Sequence, residues 1–491
     1  MIALNKITPF NGFYENPILG QQNNYAWSMS ELGDYIYVGT GRNIVFSVAV
    51  GVFNIPPERV PKAFIPTLPP DMNAEIWRYN KNGMEPWQRV FKSTPQNFSN
   101  GFRFMINYTL RDGREILVAA GGNFSGLNIL VSENGTDWLQ ANNGLSAGNT
   151  VRSMIVHNGK LYMGVMIGLG GTTETILYET ENPLNGWTRV TFGSSPNNPR
   201  GEIASMESFN GHLYLGTSLP GGFEVWRTLG YEPIADQWKL VVDKGAGDAY
   251  NEHALSMKTF RGQLYVGTGI WFGIYSIAST PSNLRLIPPK GFDLIRICKN
   301  DRWEVIVGST PLSPTNPVTN GIRNPKIPAG FGFISNAYCW QLEEYDGKLY
   351  CGTWDWSVLI PTIIASIINN IDDIIGLLRN NSSLLETILP NNITLPSLDE
   401  ENLGNLLPII KAILKFIITS LPTMGGDLWV SENGESWLPI SLNGLCNPKN
   451  YGMRKLFSAD DGRLYVGTAN PYQGCEVWRS QPQGSCYRPR C

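Results

Sequence analysis

The sequence predicts an all-β fold: a seven-bladed β-propeller of four-stranded antiparallel blades, closed by the N-terminal strand, with a helical insertion in blade six. Three observations predict it. A strand phrase recurs seven times, as YIYVGT at 35–40, ILVAA at 116–120, LYMGV at 161–165, LYLGT at 213–217, LYVGT at 264–268, LYCGT at 349–353 and LYVGT at 464–468. A second phrase, acidic–apolar–Trp–Arg, follows it, clearest as EIWR at 75–78 and EVWR at 224–227 and 476–479. The last copy stops after Trp478 and Arg479 without a fourth strand, while the chain begins with one to spare at 3–8.

Each blade is built in one order. An apolar strand ends at a two-residue turn such as Asn158-Gly159, Asn210-Gly211 or Asp346-Gly347, pairs that accept the positive φ of a tight hairpin. The second strand is the LYVGT phrase, rich in β-formers. The third carries EVWR or a weaker copy: NILV at 128–131, TILY at 175–178, DLIR at 293–296 or DLWV at 427–430. The fourth follows a Trp, as in WQRV at 87–90, WTRV at 187–190, WKLV at 238–241, WEVI at 303–306 and WLPI at 437–440. From Gly164 to Gly216 is 52 positions and from Gly216 to Gly267 is 51, near the roughly 40 to 50 residues of known propeller repeats. Pairing the N-terminal segment with the last blade would remove both sheet edges.

Composition narrows the classes. The repeat occupies nearly all 491 residues, so 1–491 reads as one domain, and 42% hydrophobic residues with 15 Trp supply its core. Charged residues are 16% and the formal net charge is −3, which excludes an electrostatic nucleic-acid binder. The N-terminus lacks the basic and apolar stretches of a signal peptide, so a cytoplasmic location is expected. Seven cysteines without a CxxC read mainly as free buried thiols, with one bridge open among Cys475, Cys486 and Cys491.

The departures from the repeat are concentrated. The connection between strands two and three expands into apolar segments at 41–73 in blade one, 269–291 in blade five and 354–425 in blade six. The last has helical periodicity: Ile363, Ile364, Ile367, Ile368 and Ile371 open one run, and Leu406, Ile409, Ile410, Ile413 and Leu414 a second. Asp372 and Asp373 interrupt the first run, and neither gives about 20 uninterrupted apolar residues, so neither is expected to span a bilayer. Antiparallel alternation puts all three insertions on one face of the disc. They could pack on each other, roof a hydrophobic ligand, or touch a membrane surface.

The same face holds the start of each inner strand. Four residues before Met29, Met154, Met206 and Met257 stand Tyr25, Thr150, Glu202 and His253; the same register gives Tyr338 and Met453 in later blades. Glu202 and His253, on adjacent blades, are the candidate catalytic acid–base pair. Tyr25, Arg42, Asn251, Glu252, Tyr338, Trp354 and Asp355 are the candidate ligand-binding residues. The alternative is structural: Asn residues capping turns and a hydrogen-bonded His253. With His157, His212 and His253 as its only histidines, the chain cannot supply a four-histidine iron site; no metal-ligand spacing occurs and no cofactor is expected.

SENGTDW at 132–138 and SENGESW at 431–437 lie between strands three and four. They resemble the Asp-box turns of BNR and sialidase-like propellers, with Asn for Asp and a turn one residue shorter. The LYVGT and EVWR repeat as a whole, which covers most of the chain outside the insertions, is also similar to other propellers that carry these phrases; both resemblances imply a fold and not sialidase activity, since that family's arginine triad and Tyr-Glu nucleophile pair are not found by matching. The expected function is a binding or interaction propeller whose apolar insertions engage a hydrophobic small molecule or lipid, a membrane surface or a second copy of the chain. The alternative is an enzyme, a hydrolase or lyase, working on a hydrophobic substrate at the funnel mouth.

Overall fold

The computed structural model describes residues 2–53, 55–123, 126–167, 172–270, 289–317, 320–369 and 424–481. The chain is mostly β-sheet, and its strands fall into successive antiparallel units. The inner strands of these units are Asn23–Leu32, Gly101–Thr109, Thr150–His157, Glu202–Phe209, His253–Phe260, Asn336–Tyr345 and Gly452–Ser458. Each pairs with the strand carrying the repeated phrase, as Met206 faces Leu215 and Met257 faces Val266. At Asn158-Gly159 and Asn210-Gly211 both turn residues have positive φ, the geometry that matches a hairpin to strand twist.

The two phrases are explained by one hydrogen-bonded knot. The Thr hydroxyl of the first accepts the backbone N–H of the acidic residue of the second: Glu75 on Thr40, Asp427 on Thr353 and Glu476 on Thr468, at 2.8–2.9 Å. The carboxylate then accepts the Trp Nε1–H two residues on, at 2.9 Å for Trp77 and 2.8 Å for Trp226. An Asn at or just before the inner strand closes the knot. Asn23, Asn251, Asn336 and Asn450 donate to Glu75, Asp293, Asp427 and Glu476 at 2.7–2.8 Å. Buried carboxylates need partners, and most have a cation as well: Glu75 has Arg42, Glu224 has Arg200, Asp293 has Lys290 and Arg323, and Glu476 has Lys6. Asp427 has no ion pair among the described residues.

Neighbouring units meet where the phrase has its glycine. A Cβ on Gly467 would stand 2.5 Å from the Met29 side chain and 2.7 Å from that of Ala26, so the last unit packs against the first. Segment Leu4–Lys6 pairs antiparallel with Val477–Ser480, Leu4 facing Ser480, and Trp87 Nε1 donates to Ile7 O at 2.9 Å.

Three features were not legible. Gly321–Ile327 adds a parallel fifth strand to Trp303–Val307, where four strands were expected. The blade-one insertion contains a helix, Ile44–Gly51, that periodicity did not mark. Cys446 is disulfide-bonded, whereas Cys298, Cys339, Cys351 and Cys475 are free. Cys486 and Cys491 lie outside the described residues, as do most of the fifth insertion and of the sixth, including its whole second helical run. Helix Ile360–Asn369 covers the start of the first run. Among the described residues no helix is long and apolar enough to cross a membrane, and no group of three or more His, Cys, Asp and Glu could hold a metal ion.

Candidate functional site: a ring of bulged residues

Every inner strand carries a β-bulge at the same register. At that register the pairing with the second strand skips Trp27, Arg103, Arg152, Ala204, Leu255, Trp340 and Arg454, and the first and sixth inner strands have a further shift at Asn24 and Ala337. A bulge re-aims the extra side chain, and all seven line one internal cavity, together with Ser28, Phe104, Met105, Gln341 and Lys455. The cavity holds about 30 Å³ for the centres of water-sized occupants, room for roughly two or three waters or one compact charged group.

The ring is uneven. Arg454, Arg103 and Arg152 come from units seven, two and three; Ala204, Leu255 and Trp340 line the opposite arc. The Arg454 guanidinium lies 5.1 Å from the Trp340 ring centre, and that of Arg103 lies 5.2 Å from Trp27, within cation–π range. Arg103 Nη1 donates to Thr150 Oγ1 at 3.1 Å. Beyond these contacts the cations are poorly served. The Nε of each of the three arginines is buried without a hydrogen-bond partner, and no Asp or Glu lines the cavity.

Burial first, and then the neighbouring guanidinium charges, push Arg103 well below the usual arginine range. The same two causes bring Arg454 to about 9, with Tyr25 and Tyr451 opposing them. Lys455 is brought to about 8 by burial, opposed by Glu343 and reinforced by Lys258 and Arg454. An arginine keeps its proton in a protein. The shifts therefore express mainly the cost of burying these charges, to which mutual repulsion adds at Arg103 and Arg454, while Glu202 and the tyrosines offset the cost at Arg152.

Above the ring, toward the insertions, lies the layer the sequence singled out. Tyr25, Tyr338 and Trp354 are buried in one apolar cluster with Trp340 and Tyr451. The same cluster takes in Ile44 and Phe64 from the first insertion and Trp356, Val358 and Leu359 from the sixth. Tyr25 and Tyr451 share a hydrogen bond between their hydroxyls. The described parts of these insertions thus pack on each other and on the channel mouth.

The remaining candidates have structural partners. Arg42, 1% exposed, bridges Asp71 and Glu75 at 3.0 Å each. Asn251 belongs to the knot of its unit and also accepts from Lys290 at 3.0 Å. Glu252 is buried, and its backbone carbonyl accepts from Leu219 N. Asp355 holds both feet of the sixth insertion, accepting from Ser357 N at 2.8 Å and Gly425 N at 3.1 Å.

Glu202 and His253 do not form the expected pair. Thr172 Oγ1 donates to Glu202 at 3.2 Å, while His253 Nδ1 lies 2.7 Å from Ser218 Oγ and its Nε2 is buried without a partner. The physical reason is strand register: Ser218 pairs with both Glu202 and His253 and so stands between them. Burial, then the charges of Arg152 and Arg103, push His253 down to about 3. Counting back four residues from each Met reached the buried layer; counting back two reaches the ring. The signal was present as three Arg and two Trp in one register, but only the bulge reveals that this register faces the axis.

No family model matches the chain, and no curated protein matches it. Among solved structures, it is similar to the extracellular domain of the hybrid two component system BT4673 from B. thetaiotaomicron, at 12% identity and a TM-score of 0.46, over 97% of this chain and 40% of that one. It is similar to the GH74 xyloglucanase from Xanthomonas campestris at 11% identity and a TM-score of 0.47, over 97% of this chain and 53% of the enzyme. It is similar to the Penicillium chrysogenum alpha-L-arabinanase at 12% identity and a TM-score of 0.33, over 72% of this chain and 94% of the enzyme. The chain thus spans about half or less of the first two proteins' length, and likeness at this level carries no activity across.

Proposed function

We propose that the chain is a seven-bladed propeller, closed by its N-terminal strand, that binds a small anionic group in its central chamber. One observation carries the reading. Three guanidinium groups and an ammonium converge on a single cavity whose lining has no carboxylate. Outside the lining, Glu202 offsets Arg152 and Glu343 offsets Lys455 in part, which leaves four cations with two distant carboxylates; buried charge left uncompensated destabilises a fold, and clustered perturbed groups of this kind mark candidate functional sites. The cavity is too small for a lipid or a sugar ring, so the group recognised is a carboxylate, sulfate or phosphate. In this reading the apolar insertions cover the channel mouth.

A second reading is hydrolysis of a ligand bearing that group. It is favoured by Glu202 and a neutral His253 standing one layer above the arginines, both almost fully buried. The primary test is calorimetric titration of the full chain with sodium sulfate, beside the variant Arg152→Met. Saturable binding by the wild type that falls at least tenfold in the variant supports the anion site. Equal heats from both proteins would refute it. Hydrolysis of a sulfate or carboxylate ester that is lost in Glu202→Gln would promote the second reading.

A further inference from the structure

Resting on the anion reading, we propose that Lys455 is a reactive amine: the chamber takes up a small 2-oxo acid, holds its carboxylate on the guanidiniums, and lets Lys455 Nζ condense with its carbonyl. The cavity places the two functions together. Arg454 and Lys455 are consecutive residues of one inner strand, and both line the cavity, with Arg103 and Arg152 on the same lining. Lys455 Nζ lies 5.4 Å from the ring centre of Phe104, a residue of unit two that lines the same cavity. Among the described residues that nitrogen has no hydrogen-bond or ion-pair partner. The other lysine of the inner strands, Lys258, is engaged by Glu343 at 2.6 Å.

The surroundings favour the free amine. Burial acts first against its charged form. Glu343 from unit six opposes this, Lys258 from unit five and Arg454 from its own strand reinforce it, and the amine comes to about 8. Unit one contributes Trp27 and Ser28 to the lining and unit two Arg103, Phe104 and Met105, none of them an acid. The Glu202 carboxylate of unit four acts on Arg152. At pH 8 about half of the Lys455 side chains then carry a free lone pair, against fewer than roughly one in a hundred for an ordinary lysine at ~10.4. Desolvation beside other cations is one of the ways in which a lysine becomes a nucleophile toward carbonyl compounds.

The step is imine formation. The Nζ lone pair attacks the carbonyl carbon and a C–N bond forms. The carbonyl oxygen takes both amine hydrogens and leaves as water, and nothing is oxidised or reduced. In a 2-oxo acid the carbonyl carbon is bonded directly to the carboxylate. A carboxylate seated on Arg454 therefore brings that carbon to the amine of the next residue, which replaces an encounter in solution by a held geometry. The cavity, with about 30 Å³ for the centres of water-sized occupants, restricts the class to its smallest members. Glyoxylate, a carboxylate carrying only an aldehyde, is the probe.

The experiment incubates the full chain with sodium glyoxylate and sodium cyanoborohydride, which reduces an imine to a stable secondary amine, and locates modified lysines by peptide mass mapping. We expect an adduct at Lys455 that forms at least tenfold faster than at any other lysine and is slowed at least tenfold by saturating sulfate. Lys455→Arg, which keeps a charge but offers no primary amine, should lose this adduct, with its urea midpoint as the check on folding; the wild-type map decides the question if the variant does not fold. Labelling spread evenly over the lysines of the wild type, or total fast labelling unchanged in Lys455→Arg, would overturn the proposal. Sulfate binding without an adduct at Lys455 would sink the reactive amine and leave the anion site standing. An adduct at Lys455 that forms as fast with acetaldehyde and is indifferent to sulfate would sink the anion reading, and the 2-oxo acid with it, while the amine stands. Neither sulfate binding nor an adduct would sink both.

Discussion

Trp27 lies across Gly101. A Cβ on that glycine would stand 2.0 Å from the indole, so the bulged residue of the first unit is seated on the bare backbone of the second. Trp340 sits in the same way over Gly452, at 2.1 Å. The two tryptophans that flank Arg454 in the ring are thus placed by glycines one unit further on.

Gly101→Ala should therefore displace Trp27. Overpacking of this kind costs about 1 to 3 kcal/mol, readable as a lower midpoint in urea denaturation with a change in tryptophan fluorescence of the folded state. Gly33→Ala is not a suitable control, because Gly33 has positive φ. Gly230→Ala is suitable, since nothing lies within 4 Å of the added carbon, and it should leave the midpoint within error.

Arg152→Met should raise the melting temperature in an anion-free, low-salt buffer. The substitution keeps volume and removes one of three mutually repelling charges, and replacing buried ions by apolar residues is often stabilising by about 1 to 4 kcal/mol. Sulfate should then reverse the order, because binding at a hundred times Kd stabilises the wild type by about 2.7 kcal/mol. A variant that melts lower than wild type with and without sulfate would show that Arg152 is a structural residue.

Asp427 gives a pH dependence of definite sign. Burial, with Asp355 nearby, pushes its carboxyl from an ordinary value up to about 7, against hydrogen bonds from Asn336 and Trp429. The folded state then holds a proton that the unfolded chain releases near pH 4. The stabilisation from this group is complete below that point and is lost as pH rises through about 7, by up to about 4 kcal/mol. Asp427→Asn, which keeps an oxygen for Asn336 and Trp429, should flatten the loss between pH 4 and 7 in denaturant titrations.

Deletion of residues 2–8 tests the proposed closure. It removes the partner of Val477–Ser480 and the acceptor of Trp87 Nε1, exposing an edge in the last unit and a buried indole in the first. We expect a drop of several kcal/mol in stability, with hydrogen exchange accelerating first at 452–480. Unchanged exchange there would argue that the ring does not depend on this strand.

The strand order was legible because each unit repeats a turn, a β-rich phrase and a Trp-bearing phrase, and local rules read all three. The knot was half legible. The Thr and the acidic residue announced themselves by recurrence, whereas their bond joins segments up to 74 positions apart, as between Thr353 and Asp427. The site was not legible. A bulge shifts which residue faces the axis by one position, and nothing in alternation marks it. Tyr25 and His253 attracted notice as polar residues in an apolar register, while Arg103, Arg152 and Arg454 stood in a register that was not singled out. Arg42, singled out as a charge at a strand end, pairs with the buried Glu75, a partner that sequence position does not announce.

The seven bulges carry a consequence for how such a molecule changes over time. Each bulged side chain stands outside the ladder pairing, so strand alternation does not dictate it, although Trp27, Leu255 and Trp340 are matched to glycines on neighbouring strands. Frame and recognition are written at separate positions. Arginines at Ala204 and Leu255 would extend the charge toward a full circle, and acids in place of Arg103, Arg152 and Arg454 would turn the same hole toward cations. The ring is a seven-letter word that can be respelled one letter at a time while the page it is written on stays flat.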